Sequence, residues 1–155
     1  MLKFGRAIKL IRAWDKARDL ASAHQFQDAF AWISLAEQLM QEFTPKKRPV
    51  MAEIQITKAM ILANLERYDE TLLILQQAME RLPEGSGNIE VRHLRFYAAR
   101  LGAVIIEAKG SSLPSTVTST FDITEPDYDL DAVPRRTKDY FSLECGTGST
   151  RDGIS

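Results

Sequence analysis

The stretch that decides the fold is residues 59–83, AMILANLERYDETLLILQQAMERLP. Apolar residues recur through it at spacings of three and four, the period of an α-helix with one buried face. Asp69 and Glu70 stand where negative charge stabilises the N-terminus of a helix, and Pro83 stands where a helix must end. The stretch therefore predicts two helices joined by a tight turn, the second over about 67–82.

A similar order of small and large residues occurs 42 residues earlier in the chain. The matched pairs are Ala17 and Ala59, Leu20 and Leu62, Phe26 and Tyr68, and Ala36 and Ala78. Small residues recur where two helices must approach closely, and large ones recur where the space beside them must be filled. Recurrence at a fixed interval is typical of stacked helical hairpins, because one hairpin cannot bury its apolar face alone.

The same reasoning along the chain predicts five helices. They cover residues 2–24, 27–42, about 50–64, about 67–82 and 88–109. Thr44–Pro49 forms the break between hairpins, Pro49 suits a first helical turn, and Asn88 can cap the fifth helix. Composition changes near Gly110, which is the predicted stop of that helix. The sequence thus predicts a helical domain over 1–110 and a polar acidic tail over 111–155, disordered or draped as an extended segment.

These residues resemble the tetratricopeptide repeat family. Ala59, Leu62, Tyr68, Ala78 and Pro83 match the family's hairpin pattern in order and spacing, and Ala17, Leu20, Phe26, Ala29 and Ala36 match it in the first hairpin. Thr71 stands where the family usually has Ala, Glu66 stands near the usual turn Gly, and the interval exceeds the family's usual period of about 34 residues. The resemblance covers about residues 10–108. Another α-solenoid or a plain helical bundle stays an alternative.

The resemblance implies a non-enzymatic module that binds a peptide or a partner helix in a concave groove. The inner faces of the first helices of each hairpin would line this groove. On the fifth helix, Arg92 and Arg95 lie three residues apart and could pair with an acidic segment. The predicted partner-binding residues are Trp14, Arg18, Ile56, Met60, Asn64, Arg92 and Arg95. The function expected is that of an adaptor, chaperone or regulatory subunit.

The N-terminal helix suggests an alternative function. Phe4, Ala7, Ile11 and Trp14 fall within about 80° of one another on a helix, with Ile8 beside them. Lys3, Arg6, Lys9 and Arg12 cover the other side. Such a helix can lie on an anionic membrane, so residues 1–14 could anchor a peripheral membrane or membrane-complex assembly factor. The other interpretation is that the apolar face packs on a neighbouring helix.

The fifth helix carries apolar residues in more than one direction, since Val104, Ile105 and Ile106 are consecutive. Something must cover the second face, because exposed patches of that kind usually mark an interface. One candidate is intramolecular binding of tail residues 113–131, in which Leu113, Val117, Phe121 and Ile123 all fall on the odd-numbered side of a Ser- and Thr-rich run. The other candidates are a homo-oligomer through the helix 88–109 and a different protein. A disordered solubilising tail is the alternative for residues 111–155.

No set of residues in the sequence predicts catalysis, a metal site or a cofactor. His24 and His93 are far apart and have no second ligand at helical spacing, so a solvated helix face is expected for His93. Cys145 stands in the tail without a nearby base. We therefore expect a chain that is not an enzyme and binds no metal.

Charge and composition limit the partners. The formal net charge is -1, which gives the whole chain no attraction to nucleic acid. Residues 1–50 carry nine Lys and Arg against five Asp and Glu, whereas residues 111–155 carry four against eight, so the two ends attract each other within or between molecules. The basic residues that divide the N-terminal apolar residues argue against a secretory signal, and one cysteine suits a reducing compartment. A cytoplasmic location is expected.

Overall fold

In the computed structural model the chain is all-α. The structure describes residues 2–42, 48–109, 120–123 and 125–135, and no strand occurs among them. The helices are α1 (Leu2–Ser22), α2 (Phe26–Met40), α3 (Arg48–Asn64), α4 (Tyr68–Arg81) and α5 (Ile89–Lys109), followed by a 3₁₀ turn at Leu130–Ala132. The prediction of five helices is confirmed, and each predicted end lies within two residues of the observed one.

The chain divides into two compact units, Met1–Arg81 and Leu82–Ser155. The first unit contains α1 to α4, and the second contains α5 and the described residues that follow it. The division falls within the range 1–110 that the sequence predicts as one helical domain. Most of the break at Thr44–Pro49 and of the tail lies outside the described residues, including Leu113, Val117 and Cys145.

The first unit consists of two helical hairpins. Helix α1 packs on α2, α3 packs on α4, and α2 joins the hairpins by packing on α3. Ala17, Ala36, Ala59 and Ala78 are all fully buried, as their recurrence predicts for points of close helix approach. On α3 the fully buried side chains are Ala52, Ile54, Ile56, Thr57, Ala59, Ile61 and Leu62. Helix α3 is therefore the centre of this core.

Polar groups at buried and half-buried positions of α3 have partners. The Thr57 hydroxyl donates to the Glu53 carbonyl at 2.8 Å, and Trp14 Nε1 donates to the same hydroxyl oxygen at 3.4 Å, which links α1 to α3. Lys58 Nζ lies 2.7 Å from a Glu37 carboxylate oxygen and links α3 to α2. These contacts avoid the cost of about 1–3 kcal/mol for each buried group left without a hydrogen bond.

The two hairpin turns have the same backbone geometry at positions 42 residues apart. Gln25 N donates to the Leu20 carbonyl at 2.8 Å, and Arg67 N donates to the Leu62 carbonyl at 3.0 Å. His24 has a φ of 62° and Glu66 a φ of 60°, so both lie in the left-handed region that usually requires glycine. The recurrence in sequence therefore extends to the hydrogen bonds and to the backbone angles.

The turn at Glu66 gives a prediction about stability. Replacing this exposed residue, Glu66→Gly, removes left-handed strain of about 1–2 kcal/mol and adds an unfolded-state entropy cost of about 0.5–1 kcal/mol. We expect the free energy of unfolding to rise by about 0.5–1 kcal/mol in urea titrations. The control Glu66→Ala keeps a Cβ and should give no gain. Equal gains for the two variants would contradict the turn geometry.

In the second unit, residues that follow α5 pack against this helix. Asn88 Oδ1 accepts from Glu90 N at 2.9 Å, which confirms the predicted cap of this helix. Phe121 is 2% exposed and lies so close to Gly102 that a Cβ added there would meet its Cγ at 2.5 Å. Val133 is also buried. Glycine at position 102 therefore makes room for the Phe121 ring against α5.

Tyr128 packs against His93, a residue whose burial the sequence does not predict. The expectation that His93 lies on a solvated helix face is wrong, because its side chain is 1% exposed. Its Nδ1 lies 2.7 Å from the Tyr128 hydroxyl, and the Tyr128 ring also meets Phe96 edge-on at 6.2 Å between centroids. Burial, together with the charge of Asp127, raises the pKa of Tyr128 well above its ordinary value of 10.0.

This contact predicts an effect of Tyr128→Phe. The change removes the hydroxyl from buried His93, so we expect α5 to lose about 1–3 kcal/mol of protection in hydrogen exchange at neutral pH. Because the folded-state pKa of Tyr128 is raised, its contribution is complete below the unfolded-state pKa and is lost as pH rises above about 10.

The difference between wild type and Tyr128→Phe should therefore shrink in alkali. The control Tyr68→Phe alters a hydroxyl that makes no hydrogen bond to a described residue, and it should leave the protection of α5 unchanged. An identical effect of the two substitutions, or a difference that grows above pH 10, would contradict the role given to Tyr128.

Candidate partner-binding surface

The apolar residues predicted to line a groove lie inside the first unit. Ile56 has no exposed surface, Met60 is 8% exposed, and Trp14 is 9% exposed. Trp14 also donates its indole hydrogen to Thr57, which holds the ring against α3. These three side chains therefore offer little surface to a partner, and partner binding by them stays a prediction.

The polar residues of the predicted groove make local contacts. The Arg18 guanidinium lies 4.4 Å from the centre of the Trp14 ring and 4.0 Å from an Asp15 carboxylate oxygen. Asn64 is exposed, and its Nδ2 donates to the Met60 carbonyl at 2.9 Å. Arg18 and Asn64 are thus the members of this set in the first unit that retain accessible surface. Their role in recognition stays a prediction.

Arg92 and Arg95 support the loops around α5 in the second unit. Arg92 donates to the carbonyl oxygens of Ser86 and Asp127. Arg95 donates to the Leu82 carbonyl at 2.8 Å and pairs with the Glu84 carboxylate at 2.9 Å. Arg92 therefore does hold the acidic segment after α5, but it binds a main-chain carbonyl there and not a carboxylate.

The apolar face predicted on α1 is only partly buried. Among residues 5–22 of α1, the buried ones are Leu10, Ala13, Trp14, Ala17 and Ala21. Ile11 is 55% exposed and Ile8 is 36% exposed. The interpretation that the predicted apolar face, Phe4, Ala7, Ile11 and Trp14 with Ile8 beside them, packs on a neighbouring helix therefore does not hold for the two isoleucines. Alanines on the buried side permit a close approach of α1 to α2, and the two isoleucines lie outside that contact.

Three cations accompany the exposed isoleucines on α1. Lys9, Arg12 and Lys16 are exposed, and none of them forms an ion pair with a residue that the structure describes. We call the surface formed by Ile8, Lys9, Ile11, Arg12 and Lys16 the α1 outer face. Exposed Asp15 and Asp19 stand on the same side of the helix, so the three cations leave this apolar surface with a small net positive charge. Such a surface suits an acidic partner that carries apolar side chains of its own.

A polar cleft of about 480 Å³ lies elsewhere in the first unit. Its lining residues are Glu37, Gln41, Met51, Gln55, Gln77, Glu80 and Arg81. Gln55 is 3% exposed and accepts from Arg81 Nε at 3.1 Å, and Glu37 is already paired with Lys58. Internal hydrogen bonds thus occupy several of these groups, which makes the cleft a weaker candidate than the α1 outer face.

Other exposed apolar residues lie on α2, where Trp32 and Leu35 share one face, and on α4. Trp32 and Leu35 are 39% and 40% exposed, and Leu73 is 55% exposed. Within the described ranges no group of three potential metal ligands occurs, and no described helix is long and apolar enough to cross a membrane. The α1 outer face is the one of these surfaces in which large apolar side chains stand among exposed cations.

Comparison with known proteins gives no match: no family model, no curated protein and no solved structure is similar to this chain. The likeness to a repeat family therefore depends on the residues of the two hairpins. Inference about function depends on the surfaces described above.

Proposed function

We propose that this chain is a non-enzymatic protein-interaction module built from tetratricopeptide-like helical hairpins. It works as an adaptor, chaperone or regulatory subunit, and its binding surface is the α1 outer face. Its partner is a peptide or helix that carries both carboxylates and apolar side chains. A concave groove lined by Trp14, Ile56 and Met60 suits a partner less well, because these side chains are buried.

What supports the repeat assignment is the 42-residue recurrence. Buried Ala17 and Ala36 in the first hairpin correspond to buried Ala59 and Ala78 in the second. The turn hydrogen bonds recur at the same interval. Tetratricopeptide-like hairpins usually carry glycine at the turn, whereas this chain reaches the same left-handed backbone with His24 and Glu66.

The observation that carries the binding proposal is the exposure of Ile8 and Ile11 among cations without ion-pair partners among the described residues. Complete burial of an isoleucine side chain yields about 1.5–3 kcal/mol, so this helix surface gains when a partner covers it. The cations add selectivity and speed of association for acidic partners, in a manner that salt weakens.

A designed acidic amphipathic peptide, with Glu and Leu at helical spacing, tests this surface. We expect saturable binding to the full chain in fluorescence anisotropy, and an affinity about tenfold lower for Ile11→Ser. The matched control is Leu73→Ser, because Leu73 is equally exposed at 55% but lies on α4. Equal losses for the two variants, or no binding by wild type, would contradict the proposal.

The same surface favours one alternative, peripheral attachment to an anionic membrane. Exposed isoleucines beside Lys9, Arg12 and Lys16 are the chemistry that such attachment needs. Flotation with phosphatidylcholine vesicles, with and without phosphatidylserine, separates the two. Wild type could float with the phosphatidylserine vesicles, lose this recovery on Ile11→Ser, and fail to bind the acidic peptide. This combination would establish the membrane function and contradict the protein-binding one.

A further inference from the structure

The described residues that follow α5 expose a row of carboxylates. Its members are Asp122, Glu125, Asp127, Asp129 and Asp131, all exposed. Every second residue from 125 to 131 is acidic, and the residues between them, Pro126, Tyr128 and Leu130, are partly buried. We call the five carboxylates the acidic ridge. From Glu125 to Asp131 the exposed carboxylates alternate with these half-buried residues.

Contacts with α5 hold the acidic ridge in place. Arg92 Nη1 donates to the Asp127 carbonyl at 3.2 Å, and the Tyr128 hydroxyl is hydrogen-bonded to His93. Asp129 accepts from Asp131 N at 3.0 Å and so caps the 3₁₀ turn. A partner that binds this surface therefore meets a segment that is already ordered, which lowers the entropy cost of association.

We infer that the partner of the α1 outer face is the acidic ridge of a second copy of this chain. The inference rests on the proposed function, since it names the occupant of the same surface. One surface offers Lys9, Arg12 and Lys16, and the other offers five exposed carboxylates. Opposite charges on two surfaces of the same molecule favour association between copies.

The two surfaces also match in length. Lys9 and Lys16 are seven residues apart on α1, which places them about 10 Å apart along the helix axis. Asp127 and Asp131 are separated by at most about 13 Å of extended chain. Ile8 and Ile11 supply apolar area beside the cations of the α1 outer face.

Charge exchange on the full-length chain tests the inference by sedimentation velocity. Wild type should associate reversibly with rising concentration, and added salt should dissociate it. Lys9→Glu with Arg12→Glu should weaken association by about 100-fold, and so should Glu125→Lys with Asp127→Lys. An equimolar mixture of these two double variants should associate again, because each supplies the charge that the other needs.

The controls separate this contact from other modes of association. Arg100→Glu reverses an exposed charge on α5 that has no described ion-pair partner, and it should leave association unchanged. Circular dichroism checks that each variant stays helical. Association that survives in both double variants would place the contact elsewhere, for example on residues 88–109, and would overturn the inference.

Two more outcomes are decisive. Monomeric wild type at every concentration and salt overturns the inference, and binding of the acidic peptide by that monomer would leave the proposed function standing. The charge variants could also show a higher frictional ratio than wild type at every concentration. That result would mean that the α1 outer face and the acidic ridge bind each other within one molecule, and it would overturn the inference. Both proposals would be contradicted if wild type did not bind the acidic peptide and if Ile11→Ser self-associated as wild type does.

Discussion

Close packing at four buried alanines is the constraint on which the rest of the first unit depends. Ala17, Ala36, Ala59 and Ala78 have no exposed surface. A larger side chain at such a point forces neighbouring groups off their preferred rotamers and costs about 1–3 kcal/mol. Because these positions are small, α3 can be enclosed by its neighbours. On the side of α1 away from this packing, Ile8 and Ile11 are exposed.

The sequence predicts the helices well because their signals are local. Pro49, Asn88 and the acidic first turn of α4 act within one helical turn of the end that they define. The 42-residue recurrence also follows from residues alone, since Ala and Leu repeat at the contacts that hairpins share. The helix ends and the recurrence can therefore be predicted without knowing which helices pack together.

The faces of the helices are harder to predict than their ends. Trp14 and Ile11 both belong to an apolar stripe at helical spacing, yet only Trp14 is buried. The apolar stripe on α1 is wider than the area that α2 and α3 contact. The residues near the stripe in sequence do not indicate which of its side chains are exposed. The burial of His93 is missed for a related reason, because the residue that packs over it, Tyr128, lies 35 residues further along the chain.

The surfaces available for binding follow from this packing. The side chains expected to form a groove contribute to stability, whereas Ile8, Ile11 and three neighbouring cations stay accessible. In the second unit, the contacts of Tyr128 and Arg92 order a segment whose alternate carboxylates face solvent. The residues that stabilise each unit thus determine which chemistry that unit presents to a partner.

The central claim is that binding occurs at the α1 outer face and not at the predicted groove. Methyl NMR on the full chain, with labelled isoleucine and methionine, tests it most directly during titration with the acidic amphipathic peptide. The account predicts saturable shifts for Ile8 and Ile11 with unchanged signals for Ile56 and Met60. Shifts confined to Ile56 and Met60 would contradict it.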